Sequence, residues 1–280
     1  MKRFIKVAMS LALSATIIIG SGSISSMAAE KSTNYVACGD SITAQKPGYA
    51  DIISKSIEAG SMVNLAVDGT TSTEWVNKVK NNTSVRNSLK KADVVTLTLG
   101  SNDIFFTIQE IVSKKLGCQN HYDAVFKKID QLTVEYANAR GFNKLYLTLK
   151  MGSLIIDINK TLSDSRVIEQ HATKYYNNME TLVGEIKSLN PGVQIYVANM
   201  YNPLTAKESL NIMGFTVVDC RAIAESWERV YNSKLSNVGQ ITVVDLHSVL
   251  NSSHVIGNFD MHPNTNGQKV IAEAFLKKMK

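Results

Sequence analysis

Cysteine and proline are scarce in this chain, with three and four among 280 residues. Cys38, Cys118 and Cys220 are odd in number and form no Cys-x-x-Cys pair, which excludes a disulfide-stapled scaffold and a zinc-ribbon or redox motif. A Cys118–Cys220 bridge stays open, and Cys38 in its apolar run reads as a small buried hydrophobe. Charged residues make up only 19% of the chain against 44% hydrophobic. That balance excludes disorder, and collagen-like and coiled-coil compositions are absent too. No Lys/Arg block suggests nucleic acid, and Lys277-Lys278-Met279-Lys280 reads as a helix end favouring cations. There is no Gly-rich phosphate loop, dinucleotide fingerprint or His/Cys cluster at ligand spacing, so no nucleotide cofactor and no metal are expected.

Long apolar runs are missing as well, apart from the N-terminus. Lys2, Arg3 and Lys6 precede an uncharged stretch from Val7 to Gly20, followed by small residues up to Ala28-Ala29. This is the layout of a secretory signal peptide over residues 1–29, cleaved after Ala28 or Ala29. Fourteen residues of helix span about 21 Å, short of a hydrocarbon core, so no stable membrane anchor is expected. Cleavage leaves 251 residues and removes three basic charges, taking the net charge from +6 to +3. The protein is therefore expected to be secreted, with residues 30–280 as a single domain. Nothing in the sequence fixes an oligomeric state.

After residue 30, short apolar runs alternate with stretches of helical period. Tyr35–Cys38, Met62–Val67, Asp93–Leu99, Val193–Ala198 and Ile241–Leu246 read as strands. Tyr49–Ala59, Ile104–Leu116, Tyr122–Ala139, Ile168–Leu189 and Asn266–Lys278 read as helices. Strands apolar on both faces and separated by helices imply a mainly parallel sheet inside a three-layer α/β/α sandwich. Functional groups then belong on loops at the carboxyl ends of the strands. One stretch fits poorly: residues 116–165 include the alternating run Lys144-Leu145-Tyr146-Leu147-Thr148-Leu149-Lys150-Met151. It reads as a strand, a hairpin or a helix face, and an inserted helical lid over the site is the favoured expectation.

The strand ends carry the polar residues. They are Gly39-Asp40-Ser41-Ile42-Thr43, Asp68-Gly69-Thr70-Thr71-Ser72, Gly100-Ser101-Asn102-Asp103 and, after the last strand, Asn258-Phe259-Asp260-Met261-His262-Pro263-Asn264. Serine is a weak nucleophile until an imidazole takes its proton. Attack on an ester carbonyl then develops an oxyanion that needs fixed donors. Ser41 and Gly69 offer backbone N–H groups and Asn102 a side-chain amide. Asp40 and Asp103 read as turn and hydrogen-bond organisers. His121, His171, His247 and His254 lack such context, Asp245 reads as a cap or ion-pair partner, and Tyr175, Tyr176 and Trp227 as core packing.

These four blocks, in this order, resemble the SGNH/GDSL family of serine esterases and lipases over essentially the whole mature chain. The resemblance implies a flavodoxin-like fold, Ser41 as nucleophile, His262 as base, and an oxyanion hole of the Ser41 and Gly69 amides with Asn102. Two departures stand out. Ile42 replaces the usual Leu after the nucleophile, a conservative change. The family's Asp three residues before the His is Phe259 here, and the nearest aspartate is Asp260, two before. Asp260 is favoured to orient His262 through a sharp turn before Pro263, with a backbone carbonyl as the alternative.

The expected activity is secreted ester hydrolysis through an acyl-enzyme on Ser41, on a lipid or lysophospholipid ester. The alternatives are an O-acetyl esterase acting on acetylated polysaccharide and, from another class, a non-catalytic binding module on a hydrolase scaffold.

Overall fold

The structure is a computed structural model that describes residues 32–202, 204, 209–212, 215–257 and 260–280. The signal-peptide segment expected at 1–29 lies outside them, as does Phe259. The chain begins with β1 (Asn34–Gly39), α1 (Ser41–Ala44), α2 (Tyr49–Ser56), β2 (Ser61–Asn64), α3 (Ser72–Asn81) and α4 (Thr83–Lys91). It continues through β3 (Val94–Thr98), α5 (Ser101–Leu116), α6 (Tyr122–Asn138), α7 (Gly141–Leu162), α8 (Ser165–Leu189) and β4 (Gln194–Ala198). A hairpin of β5 (Ser209–Ile212) and β6 (Phe215–Asp219) follows, then α9 (Cys220–Leu235) and β7 (Thr242–Val244). The chain ends with a second hairpin of β8 (Val255–Gly257) and β9 (Asp260–Pro263), and α10 (Thr265–Met279).

Strands β2, β1, β3, β4 and β7 pair in that order, all parallel, which is the flavodoxin-like order. Period-two alternation divides their side chains between two cores. Val36, Cys38, Val95, Leu97, Ile195 and Val197 face one layer, packed with Trp75, Val79, Leu89, Ala172, Leu182, Trp227 and Tyr231 from α3, α4, α8 and α9. Tyr35, Ala37, Val94, Tyr196, Ala198 and Val244 face the other, against Tyr49 and Ile53 of α2 and Ile271, Ala272 and Phe275 of α10. Each such aliphatic side chain, fully buried, contributes roughly 1.5–3 kcal/mol. The three-layer architecture is the expected one.

Local details differ from the expectation at one strand and settle readings left open elsewhere. Strand β2 is an exposed edge that ends at Asn64 instead of running buried to Val67, and Val63 faces solvent. The Asn64 side chain turns the chain there, accepting from the Ala66 N–H and donating to the Thr43 carbonyl. Leu65 and Val67 still donate to the carbonyls of Ala37 and Gly39, at 2.8 and 3.2 Å, which carries Gly69 alongside the end of β1. The ambiguous run at 144–151 is helical, part of the 22-residue α7. Val125 and Ile129 of α6 and Met151, Ile158 and Leu162 of α7 share one core with Val36 and Leu97. Cys118 is a free thiol directed at the Ser113 carbonyl, so the bridge left open above is not formed. Cys38 is fully buried.

Candidate active site

The Ser41 turn is built before any chemistry is asked of it. Gly39 closes β1 at φ 144°, and a Cβ there would lie 2.6 Å from the Thr98 carbonyl and from Thr98 Oγ1. Only glycine lets the backbone pass. Asp40 then caps α1, its Oδ1 accepting from the Ile42 N–H at 3.1 Å and from Thr98 Oγ1 at 2.9 Å. Burial pushes the Asp40 carboxyl up to about 7, with the hydrogen bonds from Thr98 and the Ile42 backbone acting in the opposite direction. Beneath it, Thr43 Oγ1 lies 2.7 Å from both Thr98 Oγ1 and Tyr49 OH. Gln268 of α10 accepts from the Tyr49 N–H at 2.7 Å and donates to the Ile42 carbonyl, fixing α1 from below. Ser41 is the first residue of α1, where a helix leaves its N–H without an internal partner.

His262 meets this turn from the β8–β9 hairpin. Its Nε2 lies 2.8 Å from Ser41 Oγ, and its Nδ1 lies 2.6 Å from Asp260 Oδ1. The same Asp260 oxygen accepts from the His262 backbone N–H at 3.0 Å. The two-residue spacing follows from β9 being extended, because residues i and i+2 of a strand share a face. Asp260 therefore reaches the imidazole along a strand and needs no sharp turn. With Nδ1–H donated to the carboxylate, Nε2 is left to accept the serine proton. Burial pushes the Asp260 carboxyl up, but the His262 backbone N–H, ring N–H and charge outweigh it and hold the carboxyl below its usual range. Tyr201 OH donates to the Met261 carbonyl at 3.0 Å, bracing β9. Asn264 caps α10 through the Gly267 N–H at 2.9 Å.

Hydrogen bonds draw the four strand-end blocks together. The Asp40 N–H donates to the Thr98 carbonyl at 3.1 Å, linking the first block to the end of β3. Thr70 Oγ1 donates to the Gly39 carbonyl at 3.1 Å, linking the second to the first. Asn102 Nδ2 donates to the Thr70 carbonyl at 3.1 Å, linking the third to the second. Gly69 adopts φ 71°, and open space faces the position of its missing Cβ. Among the described residues its N–H has no acceptor, and Asn102 retains a second N–H for a developing negative charge. Asp103 accepts from both the N–H (2.9 Å) and the hydroxyl (2.5 Å) of Ser72 at the start of α3. Burial raises its carboxyl pKa.

Several supports were not legible as site residues. The buried Trp75 indole donates to the Gly39 carbonyl at 2.9 Å and to Thr70 Oγ1 at 3.2 Å, holding the first two blocks side by side. Tyr175 OH donates to the Leu99 carbonyl at 3.1 Å, just before the third block. Tyr175 was expected as core packing, and only the fold reveals which carbonyls the two rings hold. The remaining histidines lie elsewhere: His254 caps the turn at Asn251, His171 packs beside Trp227, and His247 pairs with Glu228. Asp245 bonds Asn199 and Ser248. Among the described residues no group of three or more His, Cys, Asp or Glu side chains could hold a metal.

A parallel α/β/α sandwich whose carboxyl edge gathers a serine, a histidine, an aspartate and an asparagine has the layout of an acylhydrolase. Residues 37–270 match the GDSL-like lipase/acylhydrolase family, and the chain belongs to that family of ester-hydrolysing enzymes. The lipase Lip_vut3 from a goat rumen metagenome is similar in structure, with TM-score 0.58 and 17% identity over 88% of this chain and 97% of that one. Phospholipase A1 from Streptomyces albidoflavus NA297 gives 0.52 and 12%, over 88% and 99%. An extracellular lipase from Streptomyces rimosus gives 0.52 and 15%, over the same shares. At these identities the likeness speaks for the fold. No curated protein matches the sequence.

Proposed function

We propose that this protein is an exported serine ester hydrolase working through an acyl-enzyme on Ser41. The observation that carries the proposal is the unbroken chain Asp260 Oδ1–His262 Nδ1, His262 Nε2–Ser41 Oγ, at 2.6 and 2.8 Å. In the proposed reaction His262 takes the hydroxyl proton as Ser41 Oγ bonds the ester carbonyl carbon. The oxyanion is received by the Ser41 and Gly69 N–H groups and by Asn102. The C–O bond to the alcohol breaks as His262 returns the proton, and water repeats the sequence to release the acid. Asp260 holds the imidazole tautomer and stabilises the imidazolium.

Esters with an apolar acyl chain are the favoured substrates. Phe105 and Phe106 lie three and four residues beyond Asn102, hence on its face of α5, and both are partly exposed. Phe105 packs beside Tyr122, which packs on Phe126 with ring centroids 4.5 Å apart, extending an aromatic shelf onto α6. Carbohydrate O-acetyl esters are the second reading. Fluorophosphonate labelling tests the hydrolase reading: wild type should label and Ser41→Ala should not. Folded wild type without label would leave the binding-module alternative. Profiling on p-nitrophenyl esters of increasing chain length separates the two substrates, because activity confined to acetate defeats the acyl-chain reading.

A further inference from the structure

Helix α7 is apolar on two opposite faces, and the fold covers only one of them. Leu147, Met151, Ile158 and Leu162 point into the core. Phe142, Leu145, Tyr146, Leu149 and Ile156 recur at helical spacing on the other side, and all five are exposed, from 55% for Leu145 to 87% for Phe142. A helix of a globular protein ordinarily turns a polar face to water, and a contiguous exposed apolar stripe marks a contact surface.

The charges around the stripe select the partner. Lys150 and Lys160 have no carboxylate within ion-pair distance among the described residues. Lys150 lies 6.0 Å from the Tyr146 centroid, beside the stripe. The one carboxylate of α7, Asp157, is already engaged by Lys115 at 2.7 Å. Lysine stems flanking Phe, Tyr, Leu and Ile are the makeup of a helix lying in a lipid interface, apolar side down and ammonium groups among headgroups. A second copy of this chain fits less well, since pairing two such faces would crowd like charges and bury lysines. Spanning is excluded too, as no described helix is long and apolar enough to cross a membrane. From Phe142 to Ile156 the stripe runs about 21 Å along the helix.

We infer that the outer face of α7 docks this protein reversibly onto an anionic lipid surface. The docking is separate from the chemistry at Ser41, so it is tested on the mature Ser41→Ala protein, residues 30–280, which lacks the basic, apolar leader and cannot degrade the vesicles. The readout is co-sedimentation with phosphatidylcholine vesicles, with and without phosphatidylglycerol. The protein should sediment with the anionic vesicles and much less with the neutral ones. Adding Phe142→Glu and Leu149→Glu should weaken partitioning at least about tenfold. Adding Lys150→Gln and Lys160→Gln should weaken it about thirtyfold on anionic vesicles only. All four positions are solvent-facing, and circular dichroism melts confirm folding. Failure to sediment with either vesicle overturns the inference, as does binding indifferent to the Glu pair. A concentration-dependent dimer that the Glu pair abolishes overturns it in favour of a second copy. The catalytic reading is judged separately, by fluorophosphonate labelling of wild type.

Discussion

Two histidines of this molecule are hydrogen-bonded to carboxylates, His262 to Asp260 at 2.6 Å and His247 to Glu228 at 2.5 Å. Viewed as pairs they are nearly the same. Their surroundings differ: the side chains of His262 and Asp260 are 44% and 42% exposed, whereas Glu228 is 4% exposed beneath a His247 that is 54% exposed. His262 has Ser41 on its far nitrogen, and His247 has no hydroxyl there among the described residues. Glu228 Oε2 is buried with no hydrogen-bond partner among the described residues. Its other oxygen lies 3.5 Å from Asn232, which clasps the Met200 backbone from both sides at 2.8 Å. The Glu228 pair ties α9 to the loops after β4 and β7, while the Asp260 pair faces an open strand edge. A histidine and a carboxylate in contact are thus not sufficient to mark an active site. What sets the proposed site apart is the serine hydroxyl 2.8 Å from the far nitrogen of His262.

Mutation can break this comparison or sharpen it. Ser41→Ala and His262→Ala should each lower kcat by about a millionfold, read with a p-nitrophenyl ester. Asp260→Asn keeps the size of the side chain but loses the imidazole tautomer, and should cost about ten-thousandfold in kcat with little change in KM. A loss below tenfold, with His262→Ala inactive, would hand the orienting role to a backbone carbonyl. Asn102→Ala should cost about a hundred- to a thousandfold in kcat while the protein stays folded. Glu228→Gln, the equivalent exchange at the other pair, should leave kcat within about threefold and act on stability instead. If it matched Asp260→Asn in kcat, the distinction drawn between the pairs would fail.

The smallest effect concerns pH. Burial raises the Asp40 carboxyl to about 7 in the folded protein, against an ordinary value near 3.8. Between those values the folded state keeps a proton that the unfolded chain releases, so this group's stabilisation is present at low pH and lost as pH rises towards 7. Asn at this position keeps the acceptor for Ile42 and Thr98 but cannot titrate. The Tm of Asp40→Asn should therefore rise relative to wild type between about pH 4 and 7. A Tm difference constant across that window would show that Asp40 does not carry this linkage. The Glu228 pair has the same sign, since burial raises the carboxyl and its hydrogen bond raises the His247 imidazole.

Much of the fold was legible because the buried strands are apolar on both faces and their ends are abruptly polar. β3 was expected over Asp93–Leu99 and runs Val94–Thr98. The order of the strand-end blocks placed Ser41, Gly69, Asn102 and His262 at one edge, and hydrogen bonds join those blocks there. What escaped reading was non-local or periodically ambiguous. Leu145, Leu147 and Leu149 alternate like a strand, yet in α7 Leu147 is buried and the other two are exposed. A helix apolar on two faces shows no clean period. The β8–β9 hairpin was missed because three- and four-residue strands leave almost no pattern. Trp75 and Tyr175 grip carbonyls 36 and 76 positions away, distances at which local sequence carries no signal.

The hairpin also bears on how such a site can change by descent or design. Along β9 consecutive side chains fall on alternate sides of a narrow ribbon, so the orienting carboxylate can be relocated only in even steps. One residue inserted between Asp260 and His262 keeps both groups in the chain but sends the acid to the wrong side. The two-residue spacing seen here and a three-residue spacing are therefore separate solutions.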